Sequence, residues 1–363
     1  MQMTIRCRPE RRSSPFSGRP GADHVLREET KMITRRTLIQ TGAALGATLA
    51  MPHVARAAGK MVRLAHGTSE IHPGHKLATS FKDSLEELLP GAFNVQIFPN
   101  RQLGDDKPNL ESAVAGTLEM AMVSGVLIPL VTGRPAYDAW QLPFLVRDYD
   151  HFEKLALSPI GRKLQDDLEP AGIIGLATAD IGQRNFLSVK SQVRNIGDMK
   201  GLKTRIVPVP LHKAIWEALG TAPVGLPYGE VYGALETGVI DAVEINVSSM
   251  LGENLWEVGK NFTLTGHYPW DASTVVSTKF WNTLSDEEKE AMREAGRRSV
   301  SATLAYAKEQ DLTGRDELKK KGVEIIEMEN LAQMQETVAP LTAEWAQKDP
   351  LIAEFVEFAR ATA

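Results

Sequence analysis

Two arginines occupy positions from which a guanidinium group could grip an anion. Arg184 lies in the extended segment DIGQRNFLS, and Arg205 lies in the strand pattern GLKTRIV. A guanidinium at the end of a strand beside a cleft suits a planar carboxylate, because two of its N–H groups donate parallel hydrogen bonds to the two oxygens. Each such bond contributes about 1.5–3 kcal/mol. A structural ion pair or a solvated strand face is the alternative for each arginine.

Residues that would carry catalysis or bind a metal are sparse. The sequence has no nucleophile elbow G-x-S-x-G, no P-loop and no G-x-G-x-x-G after a strand. His66, His72 and His75 are close together, but the proline after His72 disfavours one helix face for His72 and His75, and no H-E-x-x-H motif assists. Asp105 and Asp106 fit a helix N-terminus better than an acid–base pair. We therefore predict no catalytic residue, no metal site and no cofactor.

Short apolar strands alternate with amphipathic helices along the chain, which favours parallel sheets with helices on both faces. Apolar residues recur at helical spacing in 75–89 and 210–220, and Gly220 is placed to end the second helix. Ser285 to Glu288 (SDEE) form a capping box that opens a long helix to about Gln310. Strands are predicted over residues 61–66, 93–99, 118–124, 172–179, 202–207, 239–244 and 323–328.

Two extended stretches are predicted to pass between two sets of β–α units. The first covers residues 179–184 and contains Arg184, and the second covers residues 267–277 (HYPWDASTVVS). Two such crossings would produce two lobes with a cleft between them, which is a common position for a small ligand.

A segment near the N-terminus has the features of an export signal. Arg35 and Arg36 precede an uncharged, mildly apolar stretch that ends in the small-x-small pattern Ala55-Arg56-Ala57. Paired arginines before a weak apolar core are typical of the twin-arginine route. We predict a signal peptide at 32–57 and a periplasmic location, with a buried Ala-rich helix as the alternative. Residues 1–31 are predicted to be a disordered extension, or to be untranslated if the chain starts at Met32.

The chain without this segment is acidic. Residues 1–57 hold 10 of the 41 Lys and Arg residues and 4 of the 46 Asp and Glu residues, so 31 basic and 42 acidic residues remain, with a net charge of −11. This charge argues against nucleic acid and against an anionic membrane as partners. The single cysteine, Cys7, is also in the segment, so no disulfide is expected. The remaining 306 residues are too many for one ordinary core, and two domains are expected.

Several motifs resemble those of the solute-binding proteins of tripartite ATP-independent periplasmic (TRAP) transporters, the DctP-like family. The most specific is GEVYGALETGVIDAVE (229–244), which is similar to the family signature E-V-Y-x-A-L-x-T-G-x-x-D. The others are FPNRQLGDD (98–106), GTLEMAMVS (116–124), LPF (142–144), IGDMKGLKTRIV (196–207) and KFWNTLSDEEKEAM (279–292). The resemblance covers residues 62–325, nearly all of the chain after the export signal.

The resemblance implies an α/β fold of the two-lobed periplasmic-binding-protein type (type II-like), with hinge strands and a long connecting helix. Lobe I is expected at 58–181 plus 270–310, and lobe II with the C-terminal helices at 182–269 plus 311–363. By motif position Arg205 is similar to the arginine that holds the ligand's carboxylate, and Arg184 to a second arginine beside it. The remaining expected ligand contacts, each with a core, turn or cap role as its alternative, are Tyr228, Asn246, Ser124, Glu70 and His72.

The function implied by the resemblance is capture of a small organic acid without chemical change, closure of the hinge, and delivery to TRAP membrane permease subunits. The polar side chains among the expected contacts favour a hydroxylated, sugar-acid-like ligand over a plain dicarboxylate or 2-oxo acid. Three alternatives stay open: a periplasmic enzyme acting on organic acids, a ligand-sensing subunit that docks on a membrane receptor, and a metal-binding import protein.

Overall fold

The computed structural model describes residues 59–363. The predicted extension at 1–31 and the predicted signal peptide at 32–57 lie outside these described residues. No helix within 59–363 combines the length and the apolar character that a membrane span requires.

The described residues form two β-sheets. Their strands are β1 (Lys60–Ala65), β2 (Phe93–Phe98), β3 (Met120–Ser124), β4 (Ile173–Gln183), β5 (Asn185–Ser188), β6 (Lys203–Ile206), β7 (Ala222–Gly225), β8 (Ala242–Ile245), β9 (Asn261–Leu264), β10 (Pro269–Ser277) and β11 (Glu324–Glu327). The first sheet has the order β2-β1-β3-β10-β4, and the second has the order β11-β9-β5-β8-β6-β7. We call the two halves built on these sheets the first lobe and the second lobe.

Both sheets are mixed, which corrects the prediction of parallel sheets. Strand β10 is antiparallel to both of its neighbours, β3 and β4. Strand β5 is likewise antiparallel to β8 and β9. Each reversed strand is the one that follows a crossing, because a chain arriving from the other lobe enters the sheet from the opposite end. The strands that come from alternating β–α units run parallel, as predicted.

The two predicted crossings are confirmed. Strand β4 belongs to the first sheet, and after Arg184 the chain continues as β5 in the second sheet. The chain returns from β9 to β10 through the second crossing segment, residues 265–268. The crossing segments are bonded to each other, because Arg184 N donates to Tyr268 O at 3.0 Å and His267 N donates to Arg184 O at 3.3 Å. Arg184 therefore lies in the hinge itself.

Twelve α-helices of four residues or more cover the sheets within the described residues. They are α1 (Pro73–Leu88), α2 (Asp106–Ala115), α3 (Leu127–Thr132), α4 (Tyr149–Ala156), α5 (Pro159–Asp166), α6 (Pro210–Ala218), α7 (Val231–Glu236), α8 (Val247–Gly252), α9 (Thr278–Trp281), α10 (Asp286–Lys320), α11 (Leu331–Ala346) and α12 (Pro350–Thr362). The predicted helices at 75–89 and 210–220 correspond to α1 and α6, and Gly220 follows α6 with a left-handed φ of 78°.

Helix α10 is the long connecting helix. It begins with the predicted capping box, in which Glu288 N donates to Ser285 Oγ at 3.2 Å and Ser285 N donates to Glu288 Oε2 at 2.7 Å. It packs on α1 and β4 of the first lobe and on α8 and β11 of the second. It also runs ten residues beyond the predicted end near Gln310. Its buried face there continues through Asp311 and Gly314, which a search for apolar spacing does not detect.

Strands β1–β4 and β10 form the first sheet, strands β5–β9 and β11 form the second, and the predicted lobe borders stay predictions. The C-terminal residues differ from the assignment of 311–363 to lobe II. Helix α11 packs on α6 of the second lobe, but α12 packs on α5 and on the 3₁₀ turn Pro135–Gln141 of the first lobe. There the ring of Phe355 lies 4.8 Å from that of Trp140. Burial of this aromatic pair provides the reason for the position of α12.

Candidate ligand-binding cleft

A cavity of about 320 Å³ lies between the lobes, a volume within the range of small-ligand sites. It is lined by both lobes, by Arg184 of the first crossing and by Trp270 of β10, the strand that follows the second crossing. The first lobe contributes the loop after β1, the start of α2, the end of β3 and one residue of α3, and the second contributes the ends of β6 and β7 and one residue of α8. The lining residues are Thr68, His72, Asp105, Asp106, Lys107, Pro108, Ser124, Leu127, Arg184, Arg205, Val207, Pro208, Leu226, Pro227, Tyr228, Ser249 and Trp270.

Arg205 is the one cation lining the cavity that has no ion-pair partner among the described residues. It extends from β6, is 2% exposed, and its Nε and Nη2 donate to the carbonyl oxygen of Leu226 at 3.0 and 2.8 Å. Within residues 59–363 it forms no ion pair, and its Nη1 has no hydrogen-bond partner. Burial lowers the pKa of Arg205 to about 10, so the group stays protonated at neutral pH. A buried cation without an acidic partner is costly, and a ligand anion would relieve that cost.

Arg184 is held rigidly. It is 1% exposed and comes from the first crossing. Its Nε donates to the Glu244 carboxylate and its Nη2 to the Glu244 carbonyl oxygen, while its Cζ lies 3.9 Å from the ring centroid of Trp270. The buried carboxylate of Glu244 neutralises Arg184, and the stacked indole fixes its plane. Arg184 therefore supplies a fixed donor, its Nη1, more than a net charge.

His72 connects the lobes as a neutral imidazole. Its Nδ1 accepts a hydrogen bond from Gly74 N at 3.0 Å, which caps the start of α1. That bond places the imidazole proton on Nε2, which then donates to Ser249 Oγ of the second lobe at 3.1 Å. Burial lowers the pKa of His72 to about 3, so the ring carries no charge at neutral pH.

Two adjacent carboxylates organise the opposite wall. Asp105 caps α2, as predicted for a helix N-terminus, and its Oδ2 accepts a hydrogen bond from Gly229 N of the second lobe at 3.3 Å. Asp106 Oδ2 accepts from Ser124 N and Ser124 Oγ at 2.9 and 2.7 Å, and its Oδ1 accepts from Gly67 N at 3.2 Å. Burial raises the pKa of Asp106 to about 6. These bonds fix the ends of β1 and β3 beside the cavity.

The lobes are in contact at the cleft mouth, as in a closed conformation. Arg101 of the first lobe forms a two-pronged ion pair with Glu253 of the second, at 3.1 and 2.8 Å. Its guanidinium carbon also lies 5.4 Å from the ring centroid of Tyr228. Asn100 and Arg101 both have left-handed φ angles, 53° and 60°, a conformation that costs non-glycine residues roughly 1–2 kcal/mol each. This strained turn presents Arg101 to the other lobe.

Five of the seven expected contact residues line the cavity, and two do not. Arg205, Arg184, Tyr228, Ser124 and His72 all line the cavity. Tyr228 is half-buried, and burial raises the pKa of its phenol, which stays protonated.

Asn246 and Glu70 are not among the lining residues. Asn246 is fully buried at the start of α8 and its Nδ2 donates to Ile181 O at 2.9 Å, so it joins the second lobe to strand β4. Its Oδ1 has no partner among the described residues. Glu70 is exposed in the loop after β1.

The sequence did not single out three residues that belong to the cleft: Trp270, Ser249 and Thr68. Trp270 lies in the second predicted crossing. The presence of an aromatic residue there was the available signal, because an aromatic ring can stack on the guanidinium of Arg184. Thr68 lies in the loop after β1 and Ser249 lies in α8. Neither residue has a sequence signal, because their positions in the cleft depend on how the lobes meet. Within residues 59–363, no group of three or more His, Cys, Asp or Glu side chains is arranged to hold a metal ion.

The fold and the cleft define a class of protein: a two-lobed binding protein that closes around a small ligand at a hinge. A family model, Bacterial extracellular solute-binding protein, family 7 (DctP), matches residues 64–349. The chain belongs to this family, the solute-binding proteins of TRAP transporters. The predicted family and the predicted two-lobed α/β fold are therefore confirmed.

Three similar proteins illustrate the family. The C4-dicarboxylate-binding periplasmic protein DctP of Rhodobacter capsulatus is 31% identical over 324 residues, which cover 87% of this chain and 96% of the relative. The 2,3-diketo-L-gulonate-binding periplasmic protein YiaO of Escherichia coli is 28% identical over 269 residues, 74% of this chain and 81% of the relative. A crystal structure of a TRAP periplasmic solute-binding protein from Xanthobacter autotrophicus Py2 with bound β-D-galacturonate has a TM-score of 0.78 and 28% identity, and covers 83% of this chain and 99% of that chain.

Proposed function

We propose that this protein captures a small organic carboxylate in the periplasm and delivers it, chemically unchanged, to a TRAP permease. The observation that carries the proposal is Arg205, a buried guanidinium without an acidic partner that lines a cavity shared by both lobes. The ligand carboxylate accepts hydrogen bonds from the free Nη1 groups of Arg205 and Arg184. Membership of a transport family supports delivery to a permease rather than catalysis.

Closure of the lobes follows from the same geometry. Arg205 belongs to the second lobe and Arg184 to the hinge, whereas Ser124 and the start of α2 belong to the first lobe. A ligand that touches all of these gains most of its contacts only when the lobes close, so it binds the closed state better and shifts the population toward it.

The ligand we propose is a hydroxylated acid of the sugar-acid type. The hydroxyl-bearing residues Thr68, Ser124 and Ser249 line the cavity together with the aromatic residues Trp270 and Tyr228. Such a mixture suits a body that carries both hydroxyl groups and C–H faces. The relatives that bind galacturonate and 2,3-diketo-L-gulonate support this ligand type. We further propose export by the twin-arginine signal at residues 32–57.

A thermal-shift screen tests the proposal. Uronates, aldonates, C4-dicarboxylates and 2-oxo acids are added separately, because a ligand at about 100 times its Kd stabilises the folded state by about 2.7 kcal/mol. We expect uronates or aldonates to raise Tm most, and NMR of the released ligand to show the unchanged compound. If no acid raised Tm, the carboxylate function would be wrong, and a converted ligand would indicate an enzyme.

A further inference from the structure

A second depression lies on the opposite face of the hinge from the cleft. It has a volume of about 460 Å³ and is lined by residues of both crossing regions, including Gln183, Asn185, Thr265 and Gly266. Gln183 and Asn185 flank Arg184 in extended chain, and neighbouring side chains in extended chain point to opposite faces. The depression therefore lies on one face of the hinge segment, and the side chain of Arg184 lies on the other face, in the cleft. We call it the hinge groove.

Unpaired arginines are concentrated at the hinge groove. Within residues 59–363, eight of the thirteen arginines have a carboxylate within 4.0 Å. Of the other five, Arg205 lines the cleft and Arg293 lies over the Trp281 ring at 5.0 Å. The remaining three are Arg147 and Arg315, which line the hinge groove, and Arg360, which lines an adjoining depression together with Arg147.

The environment of these arginines leaves their donors free. The Nε of Arg315 is buried and has no hydrogen-bond partner among the described residues. The side chain of Arg147 forms no hydrogen bond within residues 59–363 and is exposed. Glu327 is the one acidic residue that lines the groove. Asp311, one turn before Arg315, is buried. Its Oδ2 accepts hydrogen bonds from Tyr149 Oη and Gln183 N, its Oδ1 has no hydrogen-bond partner among the described residues, and it forms no ion pair with Arg315 within 4.0 Å.

We propose that the hinge groove is a second anion site, which takes a small phosphate- or carboxylate-bearing compound through Arg147 and Arg315. Two guanidinium forks facing one concavity match the geometry of a multivalent anion. In a chain whose acidic residues outnumber its basic ones, three unpaired arginines in one place are unlike the rest of the surface. Asn185 Oδ1 accepts from Thr265 N and Gly266 N at 2.9 and 3.2 Å, so the floor of the groove is the bonded hinge itself, the part that deforms when lobes close.

Binding of inorganic phosphate and of citrate tests the proposal directly. Titration calorimetry compares the unchanged protein with Arg147→Gln/Arg315→Gln, and with Arg162→Gln/Arg297→Gln as the matched control. The control removes the same charge from arginines that line another depression but already pair with Asp166 and Glu294. We expect the hinge-groove variant to bind at least one of the two anions about tenfold more weakly, the loss expected for a charge-assisted hydrogen bond, and the control to change by less than about twofold.

The variant Arg205→Gln separates the two sites, because it disables the cleft and leaves the hinge groove intact. It is expected to bind the same anion as the unchanged protein does. The proposal is overturned if neither anion binds at about 10 mM, if Arg147→Gln/Arg315→Gln binds normally, or if Arg205→Gln abolishes binding. Should the double variant unfold, the single variant Arg147→Gln, at an exposed side chain, gives the same comparison. Phosphate binding at the hinge groove does not depend on which acid occupies the cleft. A negative result at the groove would therefore leave the proposed carboxylate-binding function untouched.

Discussion

Replacing Arg205 with lysine tests the carboxylate grip at the residue on which it depends. Lysine keeps the positive charge but presents a point charge in place of a planar fork. In the structure, Nε and Nη2 of Arg205 donate to Leu226 O while Nη1 stays free. One ammonium group cannot satisfy that carbonyl and also bind a carboxylate with the same geometry.

The magnitude follows from the hydrogen bonds lost. A charge-assisted bond contributes about 1.5–3 kcal/mol, and the lysine must give up either the ligand or Leu226 O. We therefore expect a loss of about 3 kcal/mol, which raises Kd by roughly 100-fold. The variant should remain folded, because the site keeps a cation of similar length and its carbonyl partner.

Titration calorimetry with the acid that gives the largest thermal shift measures this effect. Circular dichroism and Tm verify that the variant is folded. Arg194→Lys is the matched control, because Arg194 is exposed and pairs only with surface glutamates. If Arg205→Lys bound the acid within about threefold of the unchanged protein, the reasoning from the unpaired guanidinium would be refuted.

Three further predictions concern closure, packing and ionisation. Glu253→Gln removes the charge that pairs with Arg101 between the lobes, and should release ligand roughly fivefold faster in stopped-flow fluorescence, since such a pair contributes about 1 kcal/mol. Gly125→Ala should lower the free energy of unfolding, measured by urea denaturation, by about 3 kcal/mol, because the added Cβ would lie 1.8 Å from Asp271 Oδ2. Burial raises the pKa of Asp271 to about 7. As pH rises from about 4 to 7, the free energy of unfolding of the unchanged protein should therefore fall by up to about 4 kcal/mol relative to that of Asp271→Asn.

The sign of the last prediction follows from proton binding. Between the unfolded and folded pKa values of Asp271, the folded state holds a proton that the unfolded state has released, so raising the pH favours unfolding. Asp150→Asn, at an exposed side chain, is the matched control for removal of one carboxylate. Identical stability curves against pH for the unchanged protein and for Asp271→Asn would contradict the prediction. Glu354→Gln is the control for Glu253→Gln, because it breaks an exposed pair between α5 and α12 that does not line the cleft. Gly233→Ala is the control for Gly125→Ala, because its Cβ would lie in open space. Unchanged release rates or unchanged stability would contradict those predictions.

The fold was largely predictable, because its elements depend on local apolar spacing and caps. The capping box at Ser285 and the stop at Gly220 are signals contained within a few residues. The end of α10 was not predictable, because its buried face there includes Asp311, which is bonded to Tyr149 of the first lobe and to Gln183 of the hinge, and Gly314, which packs on Val247 of the second lobe. The reversed strands β5 and β10 were also missed, since pairing direction is decided by where the chain crosses and not by composition.

The candidate site was predictable only where a residue acts by its own chemistry. Arg205 and Arg184 are identifiable as guanidinium groups at strand ends, and both line the cavity. The pairing of Arg184 with Glu244 joins residues 60 positions apart and depends on β5 lying beside β8. Asn246 was an expected contact because of the family resemblance, and Glu70 because of its position in the first β–α loop. The burial of Asn246 against Ile181 O and the exposure of Glu70 are both set by tertiary packing.

Comparing one acid with its own uncharged amide tests whether the cleft recognises a carboxylate. The best acid of the thermal-shift screen and its primary amide have nearly the same shape, and titration calorimetry measures Kd for both. If buried Arg205 and Arg184 grip a carboxylate, the amide should bind at least about 100-fold more weakly. Binding of the amide within about threefold of the acid would show that Arg205 and Arg184 do not hold a carboxylate.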